Sequence, residues 1–218
     1  MSIRGSDVRR VGEDDATGCS IQPVTIVSGF PRSGTSLVMR MLEAGGMPVL
    51  IDNVRPPDKH NPAGYHEFAP VKRTARDASW LAHAGGRAVK VVSMLLPSLP
   101  TDRCYRVIFM RRNLDALLAS QATMLSVRPS KPAACRPSLR TLVARHVDES
   151  ATWIAGQAHM RVFICDYERL IQSPVGMATR LVKFIGGTLD IQRMAAVVDP
   201  SLVHHGTSGR RCQRRRTR

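Results

Sequence analysis

Short, almost continuously apolar runs alternate along the chain with longer segments in which apolar residues recur every three to four positions. The apolar runs are rich in β-branched residues, which is typical of strands buried on both faces of a sheet. They predict four strands, at residues 24–28, 88–93, 105–110 and 161–165. The segments with a helical period predict helices at residues 36–44, 71–81, 113–125, 138–154, 174–185 and 190–198.

Strands that alternate with helices in this way indicate an α/β domain of three layers, a central parallel sheet with helices on both faces. We place this domain at residues 23–203. Prolines interrupt residues 47–70 and 126–137, so both segments are expected to be loops. Ser138 is expected to cap the long helix that follows, and the stripe from Leu139 to Ile154 is expected to face the core.

The composition is that of one globular domain. Of the 218 residues, 43% are hydrophobic and 22% are charged, which suits one well-buried core and not two. No apolar run reaches the roughly 20 residues that cross a bilayer. Residues 1–22 lack the apolar segment of a signal peptide and are expected to be a disordered leader. The five cysteines have no C-x-x-C spacing, which favours a reducing, cytoplasmic location without structural zinc.

The net charge of +15 includes a cluster of arginines at the end of the chain. Six arginines fall within the last nine residues, and residues 204–218 are expected to form a solvated, disordered tail. Without these six, the charge is +9 over 209 residues, which suits a polyphosphorylated small molecule as well as a nucleic acid. Because no aromatic residues are interleaved with the charges, nucleic-acid binding rests on charge alone.

The turn after the first strand has the composition of a phosphate-binding loop. Residues 29–36, of sequence GFPRSGTS, gather backbone N–H groups, the hydroxyls of Thr35 and Ser36 and a guanidinium at a helix N-terminus, where anions bind. Gly29 and Gly34 have the spacing of the Walker A loop G-x-x-x-x-G-K-[ST], but Thr35 stands at the lysine position. The cation is Arg32, inside the loop. We therefore expect phosphate binding unlike that of an ATPase or GTPase.

A second anion site is predicted at the next strand-to-helix turn. Arg112 follows the third strand, and Ser120 lies eight residues later, about two turns into the helix. A guanidinium and a hydroxyl placed in this way can hold an anionic group away from the first loop. By themselves, two adjacent arginines at the end of a strand, here Arg111 and Arg112, are more often solvent-exposed surface residues. Two anion sites on one sheet edge imply a nucleotide with two separate phosphates.

At these motifs the chain resembles the sulfotransferases that use 3′-phosphoadenosine 5′-phosphosulfate (PAPS). The resemblance covers nearly all of residues 24–203. Residues 31–36 are similar to the family's 5′-phosphosulfate loop, and Arg112 with Ser120 is similar to its 3′-phosphate pair. The sequence DYERL at 166–170, with Pro174 shortly after, resembles the family's Y-E-x-L…P segment. Residues 204–210 echo a C-terminal G-x-x-G segment but lack the Trp or Lys that follows it.

The resemblance implies a P-loop-NTPase-like fold and transfer of SO₃ to a hydroxyl or amine of a small-molecule or conjugate acceptor, with no metal expected. It assigns Arg32 to the bridging and 5′-phosphate oxygens, as a catalytic and donor-binding residue. The backbone N–H groups of residues 33–36 and the hydroxyls of the loop complete the cradle. The implied donor-binding residues are Arg32, Ser33, Gly34, Thr35, Ser36, Arg112 and Ser120.

The resemblance leaves the general base open. Many members carry K-T-H-L-P on the second strand, with the histidine as base. Here Lys90 is retained, but Val92 occupies the histidine position and cannot take a proton. Other members use a glutamate, which makes Glu67 the candidate base and His66 the second option; Glu67 could also be a surface carboxylate. Lys90 could neutralise the leaving group or pair with a carboxylate near the sheet edge.

Two other functions stay open. A P-loop kinase or nucleotide hydrolase is disfavoured by Thr35 at the lysine position, and only Asp166 is placed to hold Mg²⁺ after a strand. A basic nucleic-acid-binding module is the second alternative. His83, His146 and His159 have no metal-ligand spacing and are interpreted as structural or surface residues. The acceptor is not predicted; we expect it to bind between residues 47–70 and 126–137.

Overall fold

The structure is a computed structural model that describes residues 22–52, 54–58, 61, 64–124 and 137–199. The predicted leader, the C-terminal tail and nearly all of the loop at 126–137 lie outside these residues. The strands are β1 (Val24–Gly29), β2 (Val49–Leu50), β3 (Ala88–Val92), β4 (Tyr105–Arg111) and β5 (Met160–Asp166). The α-helices are α1 (Thr35–Ala44), α2 (Leu114–Met124), α3 (Pro137–Ala155), α4 (Tyr167–Gln172), α5 (Pro174–Ile185) and α6 (Ile191–Ala196).

The five strands form one all-parallel sheet in the order β2-β3-β1-β4-β5. The central strand, β1, ends at Gly29, which lies in register with Val92 of β3 and Met110 of β4. The loop after β1 and the ends of β3 and β4 therefore meet at the carboxyl edge of the sheet, where α/β folds bind ligands. The predicted three-layer α/β class and the parallel sheet are confirmed.

The core consists of two apolar layers, one on each face of the sheet. Adjacent residues of β1 divide between them: Val27 belongs to the layer beneath α1, α4, α5 and α6, and Ile26 to the layer beneath α2 and α3. Both side chains are fully buried. Burial of one such side chain contributes about 1.5–3 kcal/mol, so burial on both faces explains why the strands are almost continuously apolar.

Short polar side chains cap the N-termini of three of the helices. Asn113 Oδ1 accepts hydrogen bonds from the backbone N–H groups of Asp115 (3.0 Å) and Ala116 (3.1 Å) and so caps α2. Asp166 caps α4 through the N–H of Arg169, and Asp190 caps α6 in the same way. Each cap satisfies an N–H group that the helix leaves without an intrahelical partner.

The prediction of one helix at residues 71–81 is wrong. Two 3₁₀ helices, Ala69–Arg73 and Ser79–His83, stand in its place. Asp77 interrupts the helical pattern because its carboxylate accepts a hydrogen bond from the N–H of Ser79, at 3.0 Å. Thr74 closes the first turn by donating to the carbonyl of Val71, at 2.7 Å.

Three smaller predictions also differ from the structure. The loop-rich segment 47–70 contains the short strand β2, whose two residues are too few to show a pattern. The long helix begins at Pro137, one residue before the predicted cap at Ser138. The apolar stripe of α3 reaches the core only from Val143 onward, because Leu139 and Leu142 are exposed.

No helix among the described residues is long and apolar enough to cross a membrane. Cys165 lies at the end of β5 as a fully buried thiol. Burial raises the pKa of this thiol to about 12, so it behaves as a small hydrophobic residue rather than a nucleophile.

Tyr167, the first residue of α4, packs directly against the loop between β1 and α1. Gly34 caps α1 with a φ of 103°, and a Cβ atom at this position would lie 2.5 Å from Cδ2 of Tyr167. Two features require glycine at this position: the backbone has a positive φ, and the aromatic ring leaves no room for a Cβ atom. Because Tyr167 follows β5 directly, this contact packs the loop after β1 against the strand-to-helix turn after β5, on the far side of β4.

We predict that Gly34→Ala destabilises the protein more than Gly46→Ala. Gly46 has a similar φ of 97°, but a Cβ atom added there would meet nothing within 4 Å, so it isolates the backbone cost, about 1–2 kcal/mol. The clash with Tyr167 adds roughly 1–3 kcal/mol at Gly34. Urea unfolding of both variants measures the difference. Equal losses would show that the ring does not confine the loop.

Candidate donor-binding site

The loop between β1 and α1 is closed by its own backbone. The Ser33 N–H donates to the Phe30 carbonyl at 3.1 Å, and the N–H groups of Leu37 and Val38 donate to the Gly34 carbonyl. Arg32 has a φ of 73°, an unusual conformation for a residue with a side chain. The loop thus turns sharply just before α1 begins, and the start of a helix is where backbone N–H groups are open to an anion.

The two predicted anion sites are joined by a hydrogen bond. The Nε of Arg32 donates to Oγ of Ser120 at 3.0 Å, across 88 positions of sequence. Arg112 completes the link because its Nη1 donates to the backbone carbonyl of Arg32, also at 3.0 Å. The loop cation and the predicted 3′-phosphate pair therefore lie side by side at the carboxyl edge.

The DYERL sequence supports this arrangement from α4. The ring of Tyr167 lies under the guanidinium of Arg112, with 4.3 Å between the guanidinium carbon and the ring centroid. Burial raises the pKa of Tyr167, and the nearby Arg112 opposes that shift. Glu168 Oε1 accepts a hydrogen bond from the N–H of Asn113 at 3.0 Å, which ties α4 to the start of α2. Leu170 anchors the helix in the core.

Two buried polar atoms of the site have no hydrogen-bond partner among the residues that the structure describes. They are Oγ of Ser33 and Nε of Arg112. A buried donor without a partner costs about 1–3 kcal/mol, so such atoms at one edge of a sheet indicate a ligand with acceptor oxygens. Phosphate groups supply such oxygens, and the residues present fit a nucleotide with separated phosphates.

Lys90 projects from β3 into the same region. Its Nζ donates to the carbonyl of Tyr65 at 2.9 Å and to Oγ of Ser36 at 3.4 Å, and it lies 3.7 Å from Oε1 of Glu67. Burial lowers the pKa of Lys90, and the carboxylate of Glu67 partly opposes that shift. Oγ of Ser36 itself donates to the Tyr65 carbonyl. Lys90 thus connects the phosphate-binding loop to residues 61–67.

Glu67 lies in a group of three cations. Its carboxylate contacts Arg55 at 3.2 Å, Lys72 at 3.4 Å and Lys90 at 3.7 Å. The sequence predicted neither Arg55 nor Lys72 at this position, because the Pro-rich stretch that brings them together has no regular period. Glu67 is therefore near Lys90 and the loop, and its side chain is still partly exposed.

The side chain of His66 points away from the phosphate-binding loop. Its Nε2 lies 3.2 Å from Oε2 of Glu43, and Glu43 lies eight residues after Thr35, about 12 Å further along α1. Thr35 itself is buried at the start of that helix. Of the residues predicted for the site, His66 is the one whose side chain the structure directs away from the loop.

His146 borders the loop from the other face of the sheet. Its Nε2 lies 2.8 Å from Oγ of Ser93, just after β3, and its ring packs edge-on against Phe30 with centroids 5.7 Å apart. The sequence identified His146 as structural or surface, and this packing agrees with a structural residue. No sequence spacing links Ser93 to α3, so the pair could not be predicted.

Among the described residues, no group of three or more His, Cys, Asp and Glu side chains is arranged to hold a metal ion. Asp166, the one residue suggested for Mg²⁺, instead caps α4 with its carboxylate.

Comparison with known proteins identifies a family for this chain. Residues 22–215 match the sulfotransferase domain family. No curated protein matches the sequence significantly. Among solved structures, a mouse sulfotransferase complexed with PAP is 18% identical over 81% of this chain and 62% of its own, with a TM-score of 0.50.

Two other solved structures are comparable. The sulfotransferase domain of a Synechococcus olefin synthase is 15% identical, covers 88% of this chain and 86% of its own, and has a TM-score of 0.49. A sulfotransferase from Mycobacterium tuberculosis is 16% identical over 86% of this chain and 74% of its own, with a TM-score of 0.49. At 18% identity the mouse structure supports the fold alone, and the family match rests on the sequence. The chain belongs to the sulfotransferase family, a family of transferases with a P-loop-NTPase-like fold.

Proposed function

We propose that the protein transfers a sulfuryl group from PAPS to a hydroxyl or amine of an acceptor. The observation that supports this most is the hydrogen bond between Arg32 and Ser120, which joins the phosphate-binding loop to the second predicted anion site. A donor with phosphates at its 5′ and 3′ positions needs two such sites at a fixed separation. A nucleoside triphosphate, whose phosphates form one chain, does not.

The donor would be held by groups from three elements. Arg32 and the backbone N–H groups at the start of α1 would bind the 5′-phosphosulfate, together with the hydroxyls of Thr35 and Ser36. Arg112 and Ser120 would bind the 3′-phosphate. A helix N-terminus contributes only about 0.3–1 kcal/mol for an exposed anion, so the guanidinium groups must supply most of the binding energy.

PAPS supplies a sulfuryl group on a good leaving group, adenosine 3′,5′-bisphosphate (PAP). The bond from the acceptor oxygen or nitrogen to sulfur forms while the bond from sulfur to the bridging oxygen breaks. Arg32 and Lys90 would stabilise the negative charge that collects on the leaving phosphate. The acceptor proton would pass to Glu67, which we propose as the general base in preference to His66 because His66 faces Glu43.

Two alternatives have less support. A kinase or hydrolase needs the loop lysine and an acidic Mg²⁺ ligand, whereas the sequence has Thr35 and the carboxylate of Asp166 caps a helix. Nucleic-acid binding rests on net charge alone. We also propose a cytoplasmic location, on the cysteine spacing of the sequence.

The proposal predicts that PAP raises the melting temperature without Mg²⁺, and that ATP with Mg²⁺ raises it far less. The reason is that only PAP carries the separated phosphates that both sites would bind. Differential scanning fluorimetry over a series of ligand concentrations measures both shifts. A stronger shift with ATP and Mg²⁺ would overturn the sulfotransferase assignment in favour of a kinase or hydrolase.

For the general base, we predict that Glu67→Gln lowers kcat about 10²- to 10⁴-fold and leaves PAP affinity almost unchanged. Turnover is measured with ³⁵S-labelled PAPS, as label transferred to an acceptor panel or released as sulfate when water is the acceptor. Glu43→Gln is the matched control because it removes the carboxylate that His66 contacts. Unchanged turnover in Glu67→Gln would show that another group takes the proton, and a loss in Glu43→Gln instead would favour His66.

A further inference from the structure

The proposed general base, Glu67, is the meeting point of three cations beside the donor-binding loop. Its Oε1 lies 3.2 Å from Nη1 of Arg55 and 3.7 Å from Nζ of Lys90. Its Oε2 lies 3.4 Å from Nζ of Lys72. Lys90 also donates to Oγ of Ser36 at 3.4 Å, so the group of charges borders the loop after β1. Because Arg55 and Lys90 contact the same oxygen, the two cations also lie close to one another and repel.

The three cations differ in how far they reach solvent. The side chain of Lys90 is 10% exposed, whereas that of Arg55 is 42% and that of Lys72 is 69% exposed. The guanidinium of Arg55 lies over the ring of Tyr65, with 3.4 Å between its central carbon and the ring centroid, and this contact holds it in place. Arg55 and Lys72 therefore present positive charge to a molecule that approaches Glu67 from solvent.

Two other carboxylates of this segment have structural contacts. Asp52 accepts hydrogen bonds from two backbone N–H groups, those of Val54 and Ala69. Asp58 accepts a hydrogen bond from the hydroxyl of Tyr65 at 2.7 Å. These contacts hold the irregular segment together, whereas Glu67 is the carboxylate on which the three cations converge.

The proposed reaction removes the negative charge from the centre of this group. As the acceptor oxygen or nitrogen forms its bond to sulfur and PAP leaves, the acceptor proton passes to Glu67. The carboxylate becomes neutral, and three positive charges are left around it. An anionic group on the acceptor would offset this charge at the moment when Glu67 no longer does.

We propose that the acceptor carries an anionic group, a carboxylate, sulfate or phosphate, and that Arg55 and Lys72 bind this group. The inference rests on the proposed function and names the class of acceptor. Both cations contact the carboxylate that would take the acceptor proton, so the anionic group lies within a few bonds of the hydroxyl or amine that receives the sulfuryl group. A guanidinium and an ammonium that reach solvent are suited to bind such oxygen atoms.

Isothermal titration calorimetry on the complex with PAP tests the inference, because PAP occupies the proposed donor site and leaves the acceptor site open. The probes are two matched pairs, 4-hydroxyphenylacetate with its amide and 3-hydroxypropanoate with its amide. At least one acid is expected to bind about 10-fold more tightly than its amide. Raising the salt concentration to about 0.5 M should weaken binding of the acid and leave that of the amide unchanged.

Variants of the two cations assign the effect to residues. Arg55→Gln should weaken binding of the acid about 10-fold, and Lys72→Gln about 3-fold because its more exposed charge is better screened. Neither variant should change the affinity for the amide or for PAP by more than about 2-fold. Arg193→Gln, at an exposed arginine of α6 that pairs with Asp190, controls for the loss of one positive charge and should change none of these affinities.

The possible outcomes separate this inference from the proposed function. Equal affinities for acid and amide, or no binding of any of the four probes to the PAP complex, would overturn the anionic acceptor. Equal losses for acid and amide, or an acid preference that both variants retain, would overturn the role of Arg55 and Lys72. A wild type that fails to bind PAP would instead overturn the proposed function.

Discussion

The ring of Tyr167 is the contact on which the arrangement of the candidate site depends. It lies against Gly34 on one side and beneath Arg112 on the other. The loop after β1, the end of β4 and the start of α4 are thereby held in one packed group. Without the ring, the guanidinium of Arg112 would lose its support and the loop could relax toward α4. The small size of Gly34 and the rigidity of an aromatic side chain are both necessary for this.

The polar groups at this edge of the sheet are only partly satisfied by the protein. Among the described residues, Ser33 and Arg112 each keep a buried polar atom without a hydrogen-bond partner. In an ordinary core such atoms would be removed by selection for stability. Because Ser33 and Arg112 both lie at the predicted phosphate site, we interpret their two unpaired atoms as a cost that bound phosphate would offset. The same reasoning connects the positive charge of the chain to a small anionic ligand.

Much of the fold could be predicted from the sequence because parallel strands buried on both faces are unmistakable. The runs at β1, β3, β4 and β5 were located to within two residues, and the caps and glycines bounded most helices. Prediction failed where structure depends on single polar contacts. Asp77 breaks the expected helix through one side-chain hydrogen bond, and β2 is too short to produce a pattern.

The candidate site, like the fold, could be predicted from the sequence only in part. Arg32, Arg112 and Ser120 could be proposed from motif spacing, since each follows a strand at a fixed offset. The group around Glu67 could not, because Arg55 and Lys72 reach it through an irregular Pro-rich segment.

The central claim is that one nucleotide occupies two anion sites at once. Phosphorus NMR of PAP tests it directly, because the 3′- and 5′-phosphates give separate resonances. On addition of the protein without Mg²⁺, both resonances should shift or broaden, and in Arg112→Gln the 3′ resonance should be perturbed much less than the 5′ resonance. Perturbation of only one resonance by the wild-type protein, or of neither, would contradict the account.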